Sequence, residues 1–211
     1  MLRAVIFDVD GVLVDSKDAV VELYKDLLTT AGYPEPSRKE VLKHFHQPIM
    51  TALPSIIDTS DPTELSRIKN LLDAPGFRKE SISKLFKFPD KLEETLEHLK
   101  RHYKIAVVTS RLRVGMEHIY TVRQIEHLFD AVVTYEDYSN PKPDPEPLFV
   151  ALKRLNVKPT EAIYIGDSDT DIEAAQAAGM RSIHLSDTPH TDATAVAKEF
   201  DELIGAINSL L

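Results

Sequence analysis

"VIFDVDGVLVDS", residues 5–16, decides how the rest of the chain is read. Val5, Ile6 and Phe7 form an apolar run that stops abruptly on Asp8, Asp10 and Asp15, with Gly11 among them. A buried strand that runs straight into carboxylates places charge at the rim of a sheet, where open α/β folds keep their ligand crevice. Outward from this run, "RAVIFD" (3–8) is matched by "KIAVVT" (104–109), "AVVT" (131–134), "AIYIGD" (162–167) and "RSIHL" (181–185). All five are nearly continuous in apolar residues, as strands covered on both faces must be. Helical spacing lies between them: Leu92, Leu96, Leu99 and Tyr103 share one face, and Leu148, Leu152 and Leu155 another. Strand alternating with helix predicts an α/β fold, a doubly wound and mainly parallel Rossmann-like sheet.

One interval breaks the rhythm. From Ser16 to Phe88 the spacing is helical (Val20, Tyr24, Leu27, Ala31), with turns marked by Pro34, Pro36, Pro48, Pro54 and Pro62, and no convincing strand appears. The expected organisation is therefore an α/β core formed by residues 1–15 and 89–211, interrupted by a helical insertion at 16–88. Leaving just after the first strand, the insertion would stand over the carboxyl ends of the sheet. Asp15 and Ser16 are expected to begin its first helix as N-cap and hinge. In "NPKPDPEP", Asp144 is the expected N-cap and Pro145 the first helical residue. "FDELIGAINSLL" reads as a final amphipathic packing helix.

Composition narrows the function classes. The 211 residues are 43% hydrophobic with a formal charge of −9, and no basic tract is long enough to track a nucleic-acid backbone. The absence of cysteine excludes disulfides and thiolate metal ligands. No apolar run approaches the roughly 18 to 20 residues that span a bilayer. Asp8 interrupts any secretory apolar region. The expectation is a cytoplasmic protein with neither nucleic acid nor membrane as partner.

In a parallel sheet all strand ends share one edge. Asp8 and Asp10, then Thr109 and Ser110, then Lys142 in the loop after the third strand, then Gly166, Asp167 and Asp171, would meet in one crevice. Carboxylates, a hydroxyl, an ammonium and glycines suit a divalent cation and a phosphoryl group, and carboxylate oxygens are ligands that Mg²⁺ accepts. Charge explains the cations. A carboxylate approaching a phosphate meets repulsion of about 4 kcal/mol per unit-charge pair at about 4 Å and an effective dielectric near 20, equivalent to about three decades of rate.

"DVDGVLVDS", "VVTS", "KPDPEP" and "GDSDTDI", in this order, resemble the four motifs of the haloacid dehalogenase-like hydrolase superfamily, over a stretch from Asp8 to Asp171. The resemblance implies Asp8 as the nucleophile that forms an aspartyl-phosphate. It implies Asp10 as the acid and base that serves the leaving oxygen and then the water, with its backbone carbonyl on Mg²⁺. Thr109 and the Ser110 amide would hold phosphoryl oxygens, and Lys142 would neutralise charge. Asp8 and Asp167 would supply carboxylates to the metal, with Asp171 at the outer edge of its site. The insertion would be the family's helical cap, and the activity that of a phosphatase similar to phosphoglycolate phosphatases and pyrophosphatase-like relatives. The partner is then a small phosphorylated substrate, and the expected state a monomer or weak dimer.

Blander readings stand beside these. Asp171 lies one turn into a helix, where an acid also favours the N-terminus. Arg111 fits a substrate anion or an ordinary ion pair equally. His44 and His46 in "KHFHQP" read as surface or packing residues before specificity residues, and the His98/His102 pair as a response to a helix C-terminus. Asp10 argues against halide release, because halide-releasing relatives lack that second aspartate. Phosphosugar mutases of the same cap type carry a histidine where this chain has Val20 and an acid where it has Gly166. Neither G-x-G-x-x-G nor G-x-x-x-x-G-K-[ST] is present. A non-catalytic interaction protein on the same fold would not need the full set of acids, hydroxyl and lysine.

Overall fold

The computed structural model describes residues 1–74, 77, 79–188 and 190–211, and of 79 and 80 the backbone alone. Six parallel strands form one sheet: β1 (Ala4–Phe7), β2 (Lys104–Val108), β3 (Ala131–Val133), β4 (Ala162–Gly166), β5 (Arg181–Leu185) and β6 (Ala195–Ala197), in the order β3-β2-β1-β4-β5-β6. β1 lies between β2 and β4, with Phe7 opposite Val107 on one side and Ile165 on the other. Strand order reverses there, which opens a crevice at the carboxyl ends of β1 and β4.

Every residue of β1 is buried, because the sheet is covered on both faces. Val5 and Phe7 pack with Leu92, Leu96 and Leu99 of α6 (Leu92–Lys100) and with Met116 and Ile119 of α7 (Arg113–Val122). Ala4 and Ile6 face α8 (Glu146–Leu155) and α9 (Asp169–Ala177) through Leu148, Leu152 and Ala174. The two-residue alternation of a strand assigns each side chain to its layer.

Between Asp15 and Lys87 the chain forms α1 (Lys17–Thr30), α2 (Arg38–Leu42), α3 (Ile49–Ile56), α4 (Pro62–Leu72) and α5 (Lys79–Ser83). These helices carry an apolar cluster of their own, with Tyr24, Leu27, Leu28, Val41, Leu53 and Ile68 buried in it and Leu112 joining from the α/β side. The segments that leave and rejoin the sheet domain are paired: Asp15 N–H donates to the Lys87 carbonyl at 2.8 Å and Lys87 N–H to the Asp15 carbonyl at 3.1 Å. Among the described residues, no helix is long and apolar enough to cross a membrane.

Several boundaries differ from expectation. β1 ends at Phe7, one residue short of Asp8, and β4 at Gly166, so both aspartates belong to loops. α8 starts at Glu146 with Pro145 as its N-cap, one residue later than predicted. Proline has no side-chain oxygen to accept from the first helical N–H groups, and the Asp144 carboxylate reaches past it to accept from Glu146 N–H at 2.8 Å. Ser16 is the N-cap of α1, but its hydroxyl donates to Asp10 instead of accepting from a helix N–H. The Asp15 carboxylate accepts from Lys17 N–H at 3.2 Å. The terminal helix divides into a 3₁₀ turn at Phe200–Glu202 and α10 (Leu203–Asn208). β6 was not foreseen: three residues flanked by polar sequence become a strand only through pairing with β5.

Candidate active site

The site begins where β1 runs out. Asp8 N–H donates to Ile165 O at 2.8 Å, which extends the pairing with β4 by one residue and fixes the Asp8 backbone against that strand. The chain then turns tightly, with the N–H groups of Val12, Leu13 and Val14 converging on Val9 O. Gly11 takes φ +80° in this turn, and a Cβ there would lie 1.8 Å from Asp167 Oδ2. Only glycine fits both the backbone angle and the approach to Asp167.

Lys142 arrives from the loop after β3 and is almost wholly enclosed. Its Nζ donates to Asp8 Oδ1 at 3.0 Å, to Asp171 Oδ1 at 2.6 Å and to the Tyr164 hydroxyl at 3.0 Å. Burial alone would push this ammonium down, but the charges of Asp171 and Asp8 outweigh it and hold Lys142 well above its ordinary value. Asp171 is buried too and engages both of its oxygens: Oδ1 accepts from Lys142 and Tyr164, and Oδ2 from the Ser168 hydroxyl and N–H. Burial would raise it, yet Lys142 and the hydrogen bonds from Ser168 and Tyr164 bring it below the usual carboxylate range. Asp171 is thus both the third residue of an α9 capping box with Ser168 and a partner of the site lysine. Gly166 makes room for it, since a Cβ there would lie 2.3 Å from the Asp171 Cβ.

One lysine does not balance three clustered acids, two of them buried and Asp167 partly so. Burial pushes Asp8 up to about 7, with Lys142 opposing and Asp171 and Asp10 adding to the rise. Burial, then the charges of Asp8 and Asp171, push Asp167 up to about 8. Asp167 Oδ1 is buried without a hydrogen-bond partner, and His46 Nδ1 from the insertion is 3.7 Å away. Asp8, Asp167 and Asp171 each place one oxygen within 4.8 Å of the other two. An orphaned oxygen, excess negative charge and an all-oxygen donor set are what a hard divalent cation satisfies. Asp8 and Asp167 fit as carboxylate ligands; Asp171, with its oxygens already engaged, fits at the edge.

Asp10 points elsewhere. Its carboxylate is held by Arg111 through two hydrogen bonds, Nε to Oδ2 at 2.7 Å and Nη2 to Oδ1 at 2.5 Å, and it accepts from the Ser16 hydroxyl. Of the four aspartates assigned to the metal, Asp10 is the one whose carboxylate stands outside the cluster. Thr109 is fully buried at the end of β2, its hydroxyl accepting from Arg111 N–H at 3.2 Å, while Ser110 is half-buried beside it. His44 bonds Gln47 at 3.1 Å, and His98 and His102 lie beside each other in a different part of the molecule, 5.4 Å between centroids with the rings tilted by 58°.

Three participants were missed or left undecided. Tyr164 lies hidden in an apolar strand, where its hydroxyl is the only sign of a polar duty. Ser168 was legible as the first residue of an S-x-x-D box. The Arg111 pair with Asp10 spans 101 positions and has no local signal.

Residues 5–185 match the family model of haloacid dehalogenase-like hydrolases. The pyrophosphatase PpaX of Bacillus cereus (strain Q1) is 30% identical over all of this chain and 95% of its own length. Among solved structures, a candidate β-phosphoglucomutase from Thermotoga maritima superposes with a TM-score of 0.72 at 27% identity, covering all of both chains. A candidate phosphoglycolate phosphatase from Lactobacillus plantarum superposes with a TM-score of 0.79 at 22% identity, over 98% of this chain and 99% of its own.

Proposed function

The chain belongs to the haloacid dehalogenase-like hydrolase family and is a phosphatase, and on that premise we propose that it uses Mg²⁺ and an aspartyl-phosphate on Asp8 to hydrolyse a small phosphorylated metabolite. One observation carries the reading: Asp8 lies against Lys142 in a cluster of carboxylates that has an unpartnered oxygen on Asp167. Bound Mg²⁺, held by Asp8 and Asp167 with Asp171 behind them, would neutralise the carboxylates and the phosphoryl oxygens.

An Asp8 oxygen bonds to phosphorus as the bond to the leaving oxygen breaks, and Asp10 gives that oxygen its proton. Asp10 then takes a proton from water, the water oxygen bonds to phosphorus, and the bond from phosphorus to Asp8 breaks to release phosphate. Lys142 draws charge from the transferring group, while the Thr109 hydroxyl and the Ser110 amide position its oxygens. For this, Asp10 uses Oδ2, which accepts one hydrogen bond from Arg111 Nε and keeps a second lone pair, while Oδ1 stays engaged by Arg111 and Ser16. The insertion acts as the cap that excludes water. A mutase would retain the phosphoryl group for a second substrate; Val20 offers no imidazole for that task, and Gly166 is filled by Asp171.

The test is phosphate release from a panel of phosphorylated metabolites with and without Mg²⁺. Turnover should require the metal, and Asp8→Asn should lower kcat by at least about four orders of magnitude while the protein stays folded. Activity surviving in Asp8→Asn would remove the nucleophile from the scheme.

A further inference from the structure

Beside the carboxylate cluster, between the insertion and the sheet domain, lies a cavity of about 100 Å³. Asp10 and Ser110 belong both to its wall and to the catalytic edge, whereas Asp8, Lys142 and Asp167 are not part of the lining. The bidentate pair of Asp10 and Arg111 therefore stands as the partition between the place of phosphoryl transfer and this cavity. The group that departs toward Asp10 leaves into it.

The remaining wall is unlike a site for an anion. Val20 and Leu23 of α1, Phe45 of the turn after α2, and Phe86, Leu112 and Val114 give it apolar faces. Among the described residues it has no lysine, and its one arginine is committed to Asp10 and lies over the Phe86 ring, 5.4 Å from the centroid. Its imidazoles are those of His44, bonded to Gln47, and His118. A departing phosphate or glycolate would exchange water for hydrocarbon with no cation free to receive its charge, a desolvation that buried anions withstand only when paired.

We propose that the preferred substrate, given the phosphatase reading on which this rests, is a phosphate monoester whose alcohol portion is uncharged and mostly hydrocarbon. Pyrophosphate and phosphoglycolate are then poor substrates of this chain. Arg111 serves selectivity as well: by holding Asp10 it denies its own charge to a substrate carboxylate or second phosphate.

Unbranched alkyl phosphates from methyl to butyl, assayed with Mg²⁺ beside pyrophosphate and phosphoglycolate, test this. The expected result is a kcat/KM that rises about fourfold per buried methylene until the cavity is full, with the longer esters above both anionic substrates. Phe45→Ala should flatten the rise, and Val20→Lys should shift the ratio of butyl phosphate to phosphoglycolate toward the anion by tenfold or more. A flat series, or pyrophosphate or phosphoglycolate as the best substrate, overturns the inference and leaves the phosphatase standing. Phosphate release from none of the compounds, by a folded and metal-loaded protein, overturns both. Thermal melting of each variant separates loss of selectivity from loss of fold.

Discussion

The carboxyl edge of the sheet and the insertion that faces it are built on opposite principles. At the edge, Asp8, Asp167 and Asp171 are crowded together, placed by strand ends or the first turn of a helix, and Lys142 from the loop after β3 ties Asp8 to Asp171. Across from them, the insertion presents apolar side chains on short helices and turns, packed around a cluster of its own. The difference teaches where each property resides. Phosphoryl chemistry requires fixed charges, so it sits where main-chain pairing holds atoms still. On the reading proposed above, choice of leaving group falls to shape and hydrophobicity, which a separately packed unit can change with little effect on the sheet.

This contrast can be broken at its charged side first. Lys142→Met leaves Asp171 and Asp8 without their shared cation, so the metal-free protein should lose about 3–5 kcal/mol of stability, read as a fall in the urea midpoint. Saturating Mg²⁺ should restore part of the loss. An unchanged midpoint would mean that the lysine does not hold the edge together.

The apolar side comes next. Leu53 is fully buried in the insertion, and Leu53→Ala should destabilise it by about 2–5 kcal/mol. Limited proteolysis should then cut within residues 16–88 before the sheet domain gives way. Cleavage of both at the same rate would show that the two cores unfold as one.

A third test sharpens the comparison through pH. Asp8 and Asp167 stand raised to about 7 and about 8 from an ordinary 3.8. A raised carboxylate contributes stability that is complete below the ordinary value and lost as pH rises through the raised one. These two groups should therefore lower the melting temperature of the metal-free protein progressively between about pH 4 and pH 8. Mg²⁺ binds the ionised forms, so its stabilisation should be larger at pH 8 than at pH 5, reaching about 2.7 kcal/mol at a hundredfold excess over Kd. Equal gains at both values would argue against a carboxylate-bound metal.

What the sequence made legible follows the same division. Strands buried on both faces leave an unmistakable apolar run, and their shared edge brings Asp8, Thr109, Lys142 and Asp167 into one neighbourhood before any coordinate is known. Asp171 has two readings in the sequence, the edge of the site and the acid of a helix N-terminus, and only the contact with Lys142 adds the first to the second. Asp10 is expected at the metal through its backbone carbonyl, and what spacing does not reveal is the partner of its carboxylate, Arg111, which is chosen by tertiary approach. β6 escaped for the same reason, being a strand by virtue of its neighbour alone.

The bridge between Asp15 and Lys87 has a consequence of a different kind. Where a chain leaves a domain and returns to it at hydrogen-bonding distance, the intervening segment closes no long loop in the host, and its length adds little entropy to be lost on folding. The chain connection of residues 16–86 to the sheet domain is thus one paired point, while Ala19, Ile82 and Phe86 add packing against the sheet's core. Such a segment can be shortened, replaced by another unit or cut to a turn with the flanking register kept. A junction of this form makes the insertion a contiguous part that can be exchanged while the connectivity of the sheet stays as it is.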